Sequence, residues 1–224
     1  MANAFELKQT EDGLGLFWRE ASQPMRPLII DFHQGKAAYR AQHSSLKSEA
    51  IAKAVGVTGK FQPSVIDATA GLARDALVLA QFGCHVQLIE RHPMVRELLA
   101  DALQRAQLMS DNIGLAAQRM ELLNQQHIAD LDPDSCDVVY LDPMYPKTGK
   151  QKAQVKKDMQ MFQQLVGQDE DADTLLQPAL SVARYRVVVK RPASAPYLAG
   201  TEPNRQLKSK KHRFDIYINQ GFNS

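Results

Sequence analysis

The chain has 224 residues and only two cysteines, Cys84 and Cys136. Neither belongs to a CxxC pair and no histidine cluster accompanies them, which excludes a disulfide framework and a thiolate metal site. Both stand at the edges of predicted strands, where a free thiol serves as a small buried hydrophobe. No apolar run approaches the roughly 20 residues that a membrane helix needs, and the opening MANAFELKQTEDG lacks the basic and apolar blocks of a secretory signal, so a cytoplasmic location is expected. An excess of charge is missing too. Twenty-seven Lys and Arg against 25 Asp and Glu leave a formal +2, too little to announce a polyanionic partner by itself. Internal repeats and low-complexity blocks are also absent.

What is present is the composition of an ordinary globular protein, 44% apolar and 23% charged. Two textures divide it. In residues 1–60, FELKQ, LGLFWRE and PLIIDF are strand-like runs parted by Asp12-Gly13 and by Pro24 and Pro27, which predicts a small antiparallel extension. SSLKSEAIAKAV then reads as a helix with a serine cap, closed by Gly56. Over 61–224 strands and helices alternate. Strands are predicted at 64–67, 84–90, 121–124, 137–141, 186–190 and 214–218, and helices at 74–82, 93–109 and 173–184. Apolar β-branched strands between helices predict a mostly parallel sheet covered on both faces, which binds ligands at the carboxyl ends of its strands.

The strand ends therefore carry the functional reading. The first is followed by DATAGLARDA, in which small residues and Gly71 permit a tight turn into a helix. A dinucleotide fold needs GxGxxG there; only one of those glycines is present, which disfavours NAD. Asp67 on the first strand end and Glu90 on the second suit a ligand with an ammonium group and a ribose diol but no phosphate, since a carboxylate in the second position can accept both ribose hydroxyl protons. S-adenosylmethionine has those parts. As isolated acids, either would be a solvated strand terminus.

The fourth strand runs into VVYLDPMYPK. Asp-Pro-Met-Tyr resembles the [DNS]-PP-[YFW] signature of methyltransferases that modify exocyclic amino groups of nucleobases. The lone pair of such an amine is delocalised into the ring, so catalysis needs acceptors for its protons and a fixed base position. Asp142 and the Pro143 carbonyl can be the acceptors, Tyr145 can stack on the base, and Pro143 and Pro146 stiffen the loop. The alternative is a plain proline-rich turn. Met144 departs from the second proline of the signature.

DATAGLARDA, LIERHP, VVYLDPMYP, VKKDM, FQQLVG, DADTLLQPA, RVVVKRP and KHRFDIY occur in one order between about Leu28 and Ile218. Together they resemble the ribosomal RNA small subunit methyltransferase J family. The resemblance implies a class I methyltransferase fold, Rossmann-like with a seven-stranded sheet, and S-adenosylmethionine-dependent methylation of N2 of one guanine in 16S RNA, guanine 1516. By motif position it implies cofactor contacts at Arg74, Asp75, Glu90, Arg91 and Asp142. Asp75 would accept from the methionine ammonium or serve as a helix N-terminal acid; Arg74 and Arg91 would meet the cofactor or only solvent. At the third strand end, where the family carries small hydroxyl residues, Gln126 and His127 stand instead, with Asp130 nearby.

Phosphate contacts are expected from Lys147, Lys150, Lys152, Lys156 and Lys157 after the Asp-Pro loop, and from Lys190, Arg191, Arg205, Lys208, Lys210, Lys211 and Arg213 around the last strands. Arg40 and His43 would extend that surface or merely decorate it. No metal is expected, because methyl transfer to an amine needs no Lewis acid. Two rivals stand beside this reading. One is an amino-methyltransferase for DNA or a small molecule, and the other is a catalytically silent RNA-binding module on the same fold.

Overall fold

In the computed structural model, residues 4–21, 23–145, 157–209 and 212–222 are described. The amino-terminal alternation becomes a hairpin of β1 (Phe5–Thr10) and β2 (Gly13–Trp18), in register from Phe5 opposite Trp18 to Thr10 opposite Gly13. Gly13 has φ +127°, a conformation that favours glycine, and a Cβ there would lie 2.5 Å from the Arg105 guanidinium and oblige it to shift. A short β3 (Leu28–Ile29) completes a three-stranded antiparallel sheet. α1 (Gly35–His43) follows, a helix that the sequence pattern did not announce. The helix expected from Ser44 onward is shorter. Ser45 and Ser48 bond to one another in a turn, and only α2 (Ala50–Val55) is helical, closed as expected by Gly56 at φ +92°.

β4 (Val65–Asp67), α3 (Arg74–Gln81), β5 (Val86–Leu88), α4 (Pro93–Gln107), α5 (Asn112–Ala117), β6 (Met120–Leu122), β7 (Cys136–Leu141), α6 (Lys157–Val166), α7 (Leu176–Val182), β8 (Ala183–Pro192), β9 (Arg205–Lys208) and β10 (His212–Ile218) build the rest. Their sheet runs β6-β5-β4-β7-β8-β10-β9. It is parallel from β6 to β8, whereas β10 is antiparallel to both of its neighbours. This is the mostly parallel seven-stranded sheet of the class I methyltransferase fold.

The period of two along each strand sorts side chains into two cores. Val65, Val86, Leu88, Val138, Tyr140 and Val188 face α3, α4 and α5; Ile66, Val139, Leu141, Val187 and Val189 face α7. The first core also takes in Leu16, Leu28, Ile30 and Phe32 from the antiparallel segment. That segment is fastened to α4 by polar contacts as well. Asp101 accepts from the Leu14 N–H at 3.0 Å and from Arg105 at 2.8 Å, while Arg105 donates onward to the Ile30 carbonyl at 2.7 Å. Both cysteines are buried and free.

Candidate active site

After β4 the chain makes a tight loop over residues 68–73. Ala68 N–H reaches the Tyr140 carbonyl and Ala70 N–H the Ile89 carbonyl, each at 3.0 Å, so the loop is laced to the ends of both neighbouring strands. Gly71 (φ +52°) and Ala73 (φ +50°) take left-handed conformations, an unusual one for alanine, and turn the chain into α3. Gly71 N–H donates to Glu90 Oε2 at 2.9 Å, and His92 N–H donates to Glu90 Oε1 at 2.7 Å. Two backbone donors thereby fix the carboxylate that ends the second strand. A Cβ on Gly71 would meet the Phe162 ring of α6 at 3.3 Å, tighter than an ordinary contact. Between this loop and α6 opens a cavity of about 500 Å³.

The fourth strand delivers Asp142 to the same cavity. Its N–H donates to Thr69 Oγ1 at 2.6 Å and its Oδ2 accepts from Lys190 Nζ at 2.8 Å, which ties the Asp-Pro loop to the first and fifth strands of the parallel run. The side chain keeps 39% of its surface open. Asp75, in the first turn of α3, is the hub behind it. Oδ1 takes Arg40 at 2.5 Å, and Oδ2 takes the Tyr140 hydroxyl at 2.7 Å and Lys190 at 2.8 Å. Arg40 in turn grips both oxygens of Glu49. At the opposite side of the mouth Asp169 accepts from Arg91 and, at 2.6 Å, from the Met144 N–H; Asp171 takes the other Arg91 nitrogen at 2.7 Å. A second proline at position 144 would have no N–H to give, so the departure from the signature gains this loop an anchor.

Burial shapes the acids of this cavity. Asp67 is pushed up to about 8, chiefly by burial, with the neighbouring Asp75 and Asp142 adding to the rise and the Thr69 N–H opposing it. Glu90 is raised by burial, against the pull of the His92 and Gly71 N–H groups. Asp142 is raised by burial, partly offset by the Lys190 cation. For Asp75 burial also pushes upward, but Lys190 and Arg40 outweigh it and hold the carboxyl well below its usual range. Lys190 loses stability as a cation through burial and regains more from Asp142 and Asp75, so it stays charged.

Asp67, Gly71, Arg74, Asp75, Glu90, Arg91, Gln126, His127, Asp142, Pro143 and Tyr145 all line the one cavity. Several partners differ from expectation. Asp75 and Arg91 spend their polar atoms on protein groups, and Arg40, expected at the surface, turns inward to Asp75. Lys190, expected to face phosphate, lines the cavity between two aspartates. Arg191 and Arg213, each 4% exposed, are corrected from the RNA-facing rim to the interior. Arg213 pairs with the fully buried Asp215 and donates to the Pro192 and Ala193 carbonyls; Arg191 donates to the Pro196 carbonyl, with its guanidinium 4.7 Å from the centre of the Tyr145 ring. Strand alternation sends Lys190 and Arg191 to opposite faces of the sheet, and protein covers both faces, so neither is left at the rim. Lys147, Lys150, Lys152, Lys156, Lys210, Lys211 and Pro146 lie outside the described residues. Thr69, Tyr140 and Asp169 were not anticipated. The Oγ1 of Thr69 in Asp-Ala-Thr-Ala was the legible hint, since a hydroxyl in a loop of small residues has few uses other than bonding backbone.

The family described as "Putative SAM-dependent methyltransferase" matches residues 1–219. Ribosomal RNA small subunit methyltransferase J of Idiomarina loihiensis is 66% identical over 222 residues, 98% of this chain and 84% of its own. The chain belongs to the ribosomal RNA small subunit methyltransferase J family. The Pasteurella multocida member is 54% identical over 85% of this chain and 76% of its own. Among solved structures, a SAM-dependent methyltransferase from Neisseria gonorrhoeae superimposes with a TM-score of 0.71 at 37% identity, covering 95% of this chain and 81% of that one. A member of this family uses S-adenosylmethionine as its methyl donor, and the fold described above is the one its relatives share.

Proposed function

We propose that this chain transfers a methyl group from S-adenosylmethionine to N2 of a guanine in 16S ribosomal RNA, as the name of its relatives suggests for the RNA and the Asp-Pro-Met-Tyr loop suggests for the amine. One observation carries the reading. Asp142, the acid of the amine-methylating signature, opens into the same cavity as the buried strand-end acids Asp67 and Glu90.

The cavity fits the cofactor on its own chemistry. Asp67 is pushed up to about 8 chiefly by burial, and a positively charged ligand beside it would favour its charged form. Glu90, with both oxygens already oriented by backbone N–H groups, is a rigid acceptor for a vicinal diol. The bare Gly71 surface, which a Cβ would fill, admits close approach beside them. Arg74, Gln126 and His127 on the rim complete the proposed cofactor wall. When bound, S-adenosylmethionine supplies a methyl group on a sulfonium, whose bonding electrons stay with sulfur.

The remaining work falls to the Asp-Pro loop. Asp142 Oδ1 and the Pro143 carbonyl accept the two amine protons, aim the nitrogen lone pair and stabilise the positive charge that builds on nitrogen as its new bond forms. One proton then leaves the nitrogen, taken up at Asp142 and passed to water. Tyr145, backed by the Arg191 guanidinium, offers a ring against which the base can stack. Reaching this pocket requires an unpaired or swung-out guanine, a cost of roughly a few kcal/mol that favours a flexible RNA. The test is to incubate the protein with labelled cofactor and 30S particles, naked 16S RNA or DNA, and then to map the label. Methylation of a guanine N2 in 16S RNA is expected. Label confined to DNA, or on another atom, would replace this reading with the amino-methyltransferase alternative; tight RNA binding without cofactor uptake would replace it with the silent module.

A further inference from the structure

Resting on that reading of the site, we infer that Lys190 is the positioning residue of the reaction: it clamps Asp142 Oδ2 against the Asp75–Arg40 brace, so that Oδ1 is the oxygen left to face the amine. The geometry is specific. Lys190 Nζ lies 2.8 Å from Asp142 Oδ2 and 2.8 Å from Asp75 Oδ2. Asp75 is itself held from the other side by Arg40, which is held by Glu49. The ammonium therefore sits between two carboxylates, one immobilised by three partners and one open to the cavity. The Asp142 side chain is thus linked through Lys190 to Asp75 of α3 and, beyond it, to Arg40 of α1.

An acceptor for an amine proton must be charged and correctly turned, and in this cavity both are in question without Lys190. The groups facing Asp142 are Asp75 on α3, Asp67 at the end of β4, Tyr140 on β7, Asp169 beyond α6 and Lys190 on β8. Among these Asp75 and Asp169 are the carboxylates that raise the proton affinity of Asp142, and Lys190 is the cation that opposes them. Removing that one cation leaves Asp142 crowded by acids, which raises its proton affinity and frees its rotation. Lysine suits this task because its compact ammonium can serve two carboxylates at once.

A competing role is phosphate holding. Lys190 also lines a second cavity of about 270 Å³, alongside Ser48, Ser209 and His212, behind the same Arg40–Asp75 wall. The two roles give different kinetics. With saturating cofactor and RNA, Lys190→Met should lower kcat by roughly ten- to a hundredfold, the rate equivalent of one charge-assisted hydrogen bond. Its acid limb in the kcat–pH profile should move to higher pH, because Asp142 then gains its proton more readily. Lys190→Arg should restore the limb to its original position and recover part of the rate. Calorimetric binding of S-adenosylhomocysteine by each variant reports that the cavity is intact; should the methionine variant fail to fold, Lys190→Gln gives the same reading with less loss of polarity. An unmoved acid limb with unaltered kcat would overturn the inference, as would a loss confined to RNA affinity. If the wild-type protein methylates no guanine, the underlying reading fails instead, and the two failures are told apart by that control.

Discussion

Single side chains decide the chemistry, and Asp142 is the first to test. Asp142→Ala removes the acceptor while leaving Lys190 with Asp75, so kcat is expected to fall by roughly a hundredfold or more with little change in thermal unfolding, measured by single-turnover methyl transfer and by calorimetry. Asp67 gives a prediction in pH. Its folded value, about 8, lies above the ordinary 3.8, so the folded state holds a proton that the unfolded chain releases. Its contribution to stability is therefore fully present below the ordinary value and is lost as pH rises toward 8. A cationic ligand favours the deprotonated form, so cofactor affinity should climb over the same window and binding should release a proton, both visible by calorimetry in buffers of different ionisation heat. Arg213→Ala, by contrast, should cost about 3–5 kcal/mol of stability by stranding Asp215 in the interior, while RNA affinity in the remaining folded protein changes little.

Elements were legible in the sequence where burial repeats a pattern. Val-Val-Tyr-Leu and Val-Val-Val gave β7 and β8, because a sheet covered on both faces needs apolar side chains at every position. The carboxyl ends of these strands then located the cavity residues, since side chains just beyond a parallel strand have one place to go. β9 was hidden because Arg-Gln-Leu-Lys is a short polar edge strand, stabilised by pairing with β10 and not by its own composition. α1 was hidden because it has no side-chain cap and begins at a glycine; ion pairing of Arg40 to Asp75 and Glu49 helps hold it. Long-range pairs of that kind are not encoded in spacing. Two substitutions test the elements around the site. Gly71→Ala places a Cβ against Phe162 at a left-handed φ, so it should destabilise by roughly 1–2 kcal/mol and weaken cofactor binding. Asp101→Ala unfastens the amino-terminal sheet from α4 and should cost about 1–3 kcal/mol, read from denaturant midpoints, with the cavity unaffected.

At the scale of the whole molecule, the described residues present less positive surface than their count of cations suggests. Arg40, Lys190, Arg191 and Arg213 are committed to internal partners, and a net charge of +2 leaves little long-range field. RNA binding is then expected to depend on the lysines that follow the Asp-Pro loop and on Lys210 and Lys211. Joint replacement of Lys147, Lys150, Lys210 and Lys211 by alanine should weaken RNA binding and make its logarithmic salt dependence shallower, by roughly one unit for each phosphate no longer neutralised, with kcat retained at saturating RNA. Among the described residues no helix is long and apolar enough to cross a membrane.

Asp169 reaches both Arg91, which follows the proposed ribose acceptor Glu90, and the Met144 N–H of the base loop. One carboxylate thus clasps the two halves of the cleft, so loosening either half slackens the other. Replacing Asp169 by asparagine should accordingly impair both sides together, weakening uptake of S-adenosylhomocysteine in calorimetry and slowing methyl transfer in the same variant.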